Sequence, residues 1–79
     1  MGSINNNLTK RELEILFLIS ECKKNCDIAG KLNLSHHTVE THKSNLIKKL
    51  QLKNTTELIA YAIKNSEEIK SQLEKIKSK

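Results

Sequence analysis

The stretch "DIAGKLNLSHHTVETHKSNLIKKL", from Asp27 to Leu50, constrains the fold more than any other part of the chain. Two helical periodicities meet there with only "NLS" between them. On one side, Ile28 and Leu32 lie four residues apart with Ala29 beside them. On the other, Val39, Leu46 and Leu50 recur at spacings of seven and four, with Ile47 at their edge. Asn33 is among the few non-glycine residues that tolerate a left-handed turn. Leu34 can plug a core, and Ser35 can cap the helix that follows. So short a turn makes the two helices cross closely, which requires a small side chain at Ala29. The pattern predicts one helix over 27–32, with Asn25 as N-cap and Asp27 at the positive end of its dipole. A second helix is predicted over 36–50. Gly30 costs the first about 1 kcal/mol relative to Ala, either for a close helix approach or for no structural return.

The flanking segments are also helical in pattern. "TKRE" from Thr9 to Glu12 is a capping box, and Leu8 and Leu13 have the spacing of a hydrophobic staple. Ile15, Leu16, Leu18 and Ile19 follow, in a helix expected to fade near Cys22; Phe17 belongs to no clean face. "NTTE" from Asn54 to Glu57 is a second box-like start, opening a helix that carries Leu58, Ile59, Ala62 and Ile63. The tail has Ile69, Leu73 and Ile76 on one stripe, about two heptads at most and too short for a coiled coil on that pattern alone. Proline is absent and glycine and aromatics are scarce, which with a Lys-, Glu- and Leu-rich composition favours helix over sheet.

The 79 residues suit one small domain, near the lower size limit for unaided folding. No apolar run approaches the roughly 18 residues of a membrane span. The polar start lacks the apolar stretch of an export signal, so Cys22 and Cys26 are expected to be reduced thiols in a cytoplasmic protein. Three segments are expected: 1–7 as a disordered lead-in or cloning remnant, 8–65 as the domain, and 66–79 as a charged amphipathic tail.

The net charge is +5, and residues 23–53 alone carry that much: seven lysines against Asp27 and Glu40. A concentrated basic patch suits a polyanion, although lysines also serve as a solvated face. Cys22-x3-Cys26-x10-His37-x4-His42 superficially resembles a Cys2His2 zinc spacing. Its central gap is shorter than the usual x12, and the residues between already form a helical core. No nucleophile elbow, glycine-rich phosphate loop or paired carboxylates point to catalysis. The expectation is therefore a non-enzyme with no metal and no cofactor.

Two apolar-faced helices joined by a tight turn, the second presenting His37, Glu40, Thr41, Ser44 and Lys48 on its polar side, form a helix-turn-helix. Such a helix fits the major groove of B-DNA. The alternative is a protein-interaction module that uses the fourth helix and the C-terminal apolar stripe.

Three stretches, "LTKRELEIL", "NCDIAGKLNLSHHTVETHKSNLIKKL" and "KNTTELIAYA", resemble the LuxR/FixJ-type (GerE-like) DNA-binding domain. The resemblance runs from Leu8 to about Asn65. Leu8-Thr9, Arg11-Glu12, Asn25, Ile28-Ala29, Leu32, Ser35, Thr38-Val39, His42, Asn45 and Lys49-Leu50 fall on its pattern without gaps. It implies an all-α fold: a four-helix LuxR-type helix-turn-helix domain, here with room for an extended C-terminal helix. It also implies sequence-specific double-stranded DNA binding by a bacterial transcription regulator, with the helix over 36–50, third in chain order, in the major groove and a homodimer on paired half-sites. The wording around "TVETH" and "KLQLKN" is closer to response-regulator members than to quorum-sensing ones. The resemblance thus implies the output domain of a two-component system, detached or stand-alone, with RNA polymerase and a receiver domain outside this chain as candidate partners.

On that basis, Glu40, Thr41, Lys43 and Ser44 are expected to contact bases. Lys24, His37, Thr38, Asn45, Lys48 and Lys49 are expected at phosphates, and Leu58, Ala62 and Ile63 at a dimer interface. His42 is expected to serve within the fold. Four positions depart from the family pattern. Cys22 replaces a helix-ending Gly, so a left-handed cap is less comfortable there. Cys26 replaces a common Lys, and Thr55 a frequent Arg. Glu40 replaces a frequent Lys or Arg; a carboxylate there can accept from the N4 amino group of cytosine, or orient Lys43 or Ser44.

Overall fold

The computed structural model describes the backbone over residues 8–77 and the side chains over 8–75. These contain α1 (Lys10–Ser20), α2 (Asn25–Leu32), α3 (His36–Lys49), α4 (Thr55–Lys64) and α5 (Ser66–Lys77), with no strand among the described residues. The fold is all-α, as expected. The expectation for 1–7 lies outside the described residues, as does the side chain of Ile76.

Helix α1 is the centre of the domain, packing against α3, α4 and α5. That explains its poor amphipathicity. Leu13, Ile15, Leu16, Leu18 and Ile19 are all buried, and a helix covered on several sides needs apolar residues on several sides. Phe17 is half-buried at the rim of the core. The capping box forms as read: Thr9 Oγ1 accepts the Glu12 N–H at 3.1 Å, and Glu12 Oε1 accepts the Thr9 N–H at 3.0 Å.

Three helices end in the same way. The N–H of Lys23 bonds Leu18 O at 3.1 Å, that of Leu34 bonds Ala29 O at 2.8 Å, and that of Leu52 bonds Ile47 O at 2.9 Å. These six-to-one bonds are Schellman closures, and each needs a left-handed residue just before its donor. Those residues are Cys22, Asn33 and Gln51, at φ of 63°, 60° and 59°. The departure at Cys22 has therefore not changed the cap. Cys22 adopts the conformation glycine would take and carries the steric cost of its Cβ.

Two sequence expectations are corrected, and two points that the sequence left open are decided. Asn25 does not cap α2: it is the first helical residue, and the cap is Lys24, with no side-chain bond. The α2 helix thus begins two residues before Asp27. Gly30 serves no close approach, since a Cβ there meets nothing within 4 Å. The α4 box closes on one side only. Asn54 Oδ1 accepts the Glu57 N–H at 3.0 Å, but the Glu57 carboxylate takes the Lys53 N–H instead. Finally, the C-terminal helix does not extend α4. The chain turns at Asn65, whose own N–H and side-chain amide both donate to Tyr61 O at 3.0 and 2.9 Å. Its carbonyl then accepts the Ile69 N–H at 2.9 Å, starting α5. Ile69 and Leu73 are buried against the rest of the core.

Candidate DNA-binding face

The α2–α3 pair holds the candidate site. Ile28, Ala29, Val39 and Leu46 are buried, and Leu34 in the turn is half-buried against the same core. Ser35 caps α3, accepting the Thr38 N–H at 3.0 Å; its hydroxyl also lies 2.9 Å from that of Thr38. Burial of Val39 and Leu46 fixes the rotation of α3. Its other side, with His36, His37, Glu40, Thr41, Ser44, Asn45 and Lys48, is exposed along its whole length. Lys24 is exposed as the N-cap of α2. Thr41 Oγ1 donates back to His37 O at 3.0 Å, which directs its hydroxyl hydrogen into the helix.

Two of the expected contact lysines already have partners within the fold. Lys43 is half-buried and its Nζ donates to Asn25 Oδ1 at 2.8 Å. The Asn25 Nδ2 donates in turn to Glu40 Oε2. Lys49 Nζ bonds Glu12 Oε1 at 2.8 Å. Glu12 is only 5% exposed, the one buried charged residue of the described set. Burial alone raises its pKa. The hydrogen bonds from Lys49 and from the Thr9 backbone, with the positive fields of Lys49 and His42, outweigh this and hold it below its usual value. His42 is half-buried, and its Nδ1 is enclosed without a hydrogen-bond partner. Among the described residues, no three His, Cys, Asp or Glu side chains come together as metal ligands would.

The expected dimer residues separate into two groups. Leu58 and Ala62 are completely buried in the core of the same chain, so they are corrected to core positions. Ile63 is 48% exposed, and Ile59, which was not on the expected list, is 38% exposed. The two lie four residues apart on the outer face of α4. The roles of Asn25 and of Glu12 as a buried ion-pair partner were missed. No local pattern announces either one, because their partners are 15 to 37 residues away in sequence.

With this geometry in view, the comparison with known proteins is specific. Residues 6–62 match the family described as bacterial regulatory proteins, luxR family. The chain belongs to the LuxR family. It is 54% identical over 57 residues to the oxygen regulatory protein NreC of Staphylococcus haemolyticus, and 53% identical over the same length to NreC of Staphylococcus carnosus. Each match covers 72% of this chain and 26% of the relative. It is also 50% identical over 62 residues to the uncharacterized response regulatory protein YgeK of Escherichia coli, covering 78% of this chain and 42% of that protein. The chain thus spans between a quarter and a half of these relatives' lengths. No solved structure matches it at a significant level. Membership of the LuxR family, with its helix-turn-helix, makes this a DNA-binding domain of transcriptional regulation. No helix among the described residues is long and apolar enough to cross a membrane.

Proposed function

We propose that this domain binds double-stranded DNA sequence-specifically by laying α3 in the major groove, as the output domain of a cytoplasmic response regulator. One observation carries the reading: the continuous exposed stripe of His37, Glu40, Thr41, Ser44 and Lys48 on a helix whose opposite residues, Val39 and Leu46, are 0% exposed. An α-helix held rigidly by one face and polar along the other matches the roughly 12 Å width of the groove. Glu40, Thr41, Ser44 and Lys43 face the base edges. Lys24 and Lys48 neutralise phosphates, and His37, Thr38 and Asn45 hydrogen-bond to them; these contacts position the helix without specifying sequence. Lys49 is a weaker phosphate ligand because its ammonium already serves Glu12. The name of the Escherichia coli relative, a response regulatory protein, supports a receiver domain as the controlling partner, and RNA polymerase is the target of the regulation.

The domain dimerises on DNA through the outer face of α4, where Ile59 and Ile63 are the two large apolar side chains exposed among the described residues. The same patch would serve a different protein partner if no homodimer forms. Fluorescence anisotropy against a random duplex library, titrated with salt and followed by selection of the bound fraction, tests the reading. Binding that falls steeply with salt, with enrichment of a two-fold-related motif, is the expected outcome. Absence of binding to any duplex at low salt, by a folded protein, would refute it. Sedimentation with and without DNA tests the pairing, and a strictly monomeric protein on its selected duplex would transfer the α4 face to a heterologous partner.

A further inference from the structure

We propose that Asn25, a residue of α2 and not of the reading helix, sets base specificity by holding Glu40 ready to select a cytosine. This rests on the reading that α3 lies in the major groove. Glu40 and Lys43 are three residues apart on α3, a spacing at which a carboxylate and an ammonium pair directly. They do not pair here. The Asn25 amide stands between them, its Nδ2 donating to Glu40 Oε2 and its Oδ1 accepting from Lys43 Nζ at 2.8 Å. Only a neutral group with a donor and an acceptor side by side can serve both charges at once. Asp in this place would keep Lys43 and repel Glu40, and Ala would release both.

The clamp has a consequence for recognition. A Glu40 paired with Lys43 would have its charge neutralised on its own helix, and the lysine would compete with any base for its oxygens. Held by the amide, Glu40 stays exposed, anchored through Oε2 alone, with Oε1 left to accept. The base-edge donor matched to a carboxylate in the major groove is the N4 amino group of cytosine. Lys43 keeps two of its three ammonium hydrogens for an adjacent phosphate or a guanine edge. Asn25 is a positioning residue, since it reaches DNA only through these two side chains.

The test is selection from a random duplex library by four proteins: the unaltered chain, Asn25→Ala, Glu40→Ala and the double variant. Each is also characterised by competition anisotropy, salt slope and thermal melting. The unaltered chain is expected to prefer one C·G pair by about tenfold, the scale of a single specific contact. Glu40→Ala should abolish that preference. Asn25→Ala should remove most of it while leaving random-duplex affinity and salt slope unchanged, with a lower melting temperature from the two lost bonds, and the double variant should match Glu40→Ala in base preference. A structural role alone would move melting and leave the preference intact. Asn25→Asp, which retains the Lys43 bond, should lose the preference as well and serves if the alanine variant does not fold. Full retention of the cytosine preference in both Asn25 variants overturns the inference and leaves DNA reading by α3 in place. So does a selected motif with no Glu40-dependent cytosine. Failure of the unaltered chain to bind any duplex removes the underlying reading and the inference with it.

Discussion

The basic patch contains a lysine whose main work is structural, and Lys49→Ala separates that role from DNA binding. Lys49 Nζ lies 2.8 Å from Glu12 Oε1, and the Glu12 side chain is 6% exposed. Without Lys49, the carboxylate retains the Thr9 N–H at 3.0 Å but loses its only ion-pair partner among the described residues. A hydrogen bond to a charged group contributes about 1.5–3 kcal/mol. The Lys49 side chain is 37% exposed, so water screens the pair and replaces part of it, and a loss of about 1–2 kcal/mol is the discounted value. In a domain of this size that lowers Tm by roughly 6–12 °C at its midpoint.

The pH dependence supplies the diagnostic. Glu12 is held below its usual pKa of 4.5 in the folded state. A depressed carboxyl adds stability that is fully present above the unfolded value and is lost as pH falls through the folded one. Lys49→Ala removes much of that depression. The difference between the two proteins is therefore expected to be largest near neutral pH and to close as the pH falls below the usual value of 4.5 and through the lower folded one. Thermal or urea unfolding across that range measures it. Equal stability at neutral pH, or a difference that persists undiminished in acid, would refute the reasoning. Random-duplex affinity should fall less for Lys49→Ala than for an exposed lysine of α3.

Lys48→Ala is that comparison: exposed and without an ion pair among the described residues, it should weaken binding to all duplexes and make the salt slope shallower by about one, read by anisotropy against salt. Gly30→Ala should stabilise the domain by about 0.5–1 kcal/mol in urea unfolding, because the new methyl meets only open space within a helix. Cys22→Gly should stabilise by a similar amount, about 0.5–1 kcal/mol, by relieving a left-handed Cβ, and no change would mean that the cap tolerates cysteine without strain. Ile69→Ala should cost about 2–5 kcal/mol, since Ile69 is 0% exposed; a cost under about 0.5 kcal/mol, the range of a surface substitution, would mean that α5 is not docked in solution.

Interactions between residues three and four apart were legible along the chain. Thr9 with Glu12, Ser35 before α3 and Asn54 before α4 cap their helices because capping joins a side chain to a backbone three positions on. Val39 and Leu46 turn inward, and the His37–Lys48 stripe outward, because helical periodicity fixes relative direction on one element. The turn at Asn33 was legible for the same local reason. Tertiary structure decided the rest. On α4, Leu58, Ile59, Ala62 and Ile63 are all apolar, and only the placement of α1, α3 and α5 against that helix leaves Ile59 and Ile63 outside. Asn25 reads as a cap when its neighbours alone are considered. It becomes a clamp because α3 brings Glu40 and Lys43 to it, 15 and 18 residues away. Lys48 and Lys49 are adjacent and chemically identical, yet one is bound to a buried carboxylate 37 residues away and the other faces solvent. A side chain's partner across the fold depends on how helices pack, and neither charge nor spacing along one segment contains that information.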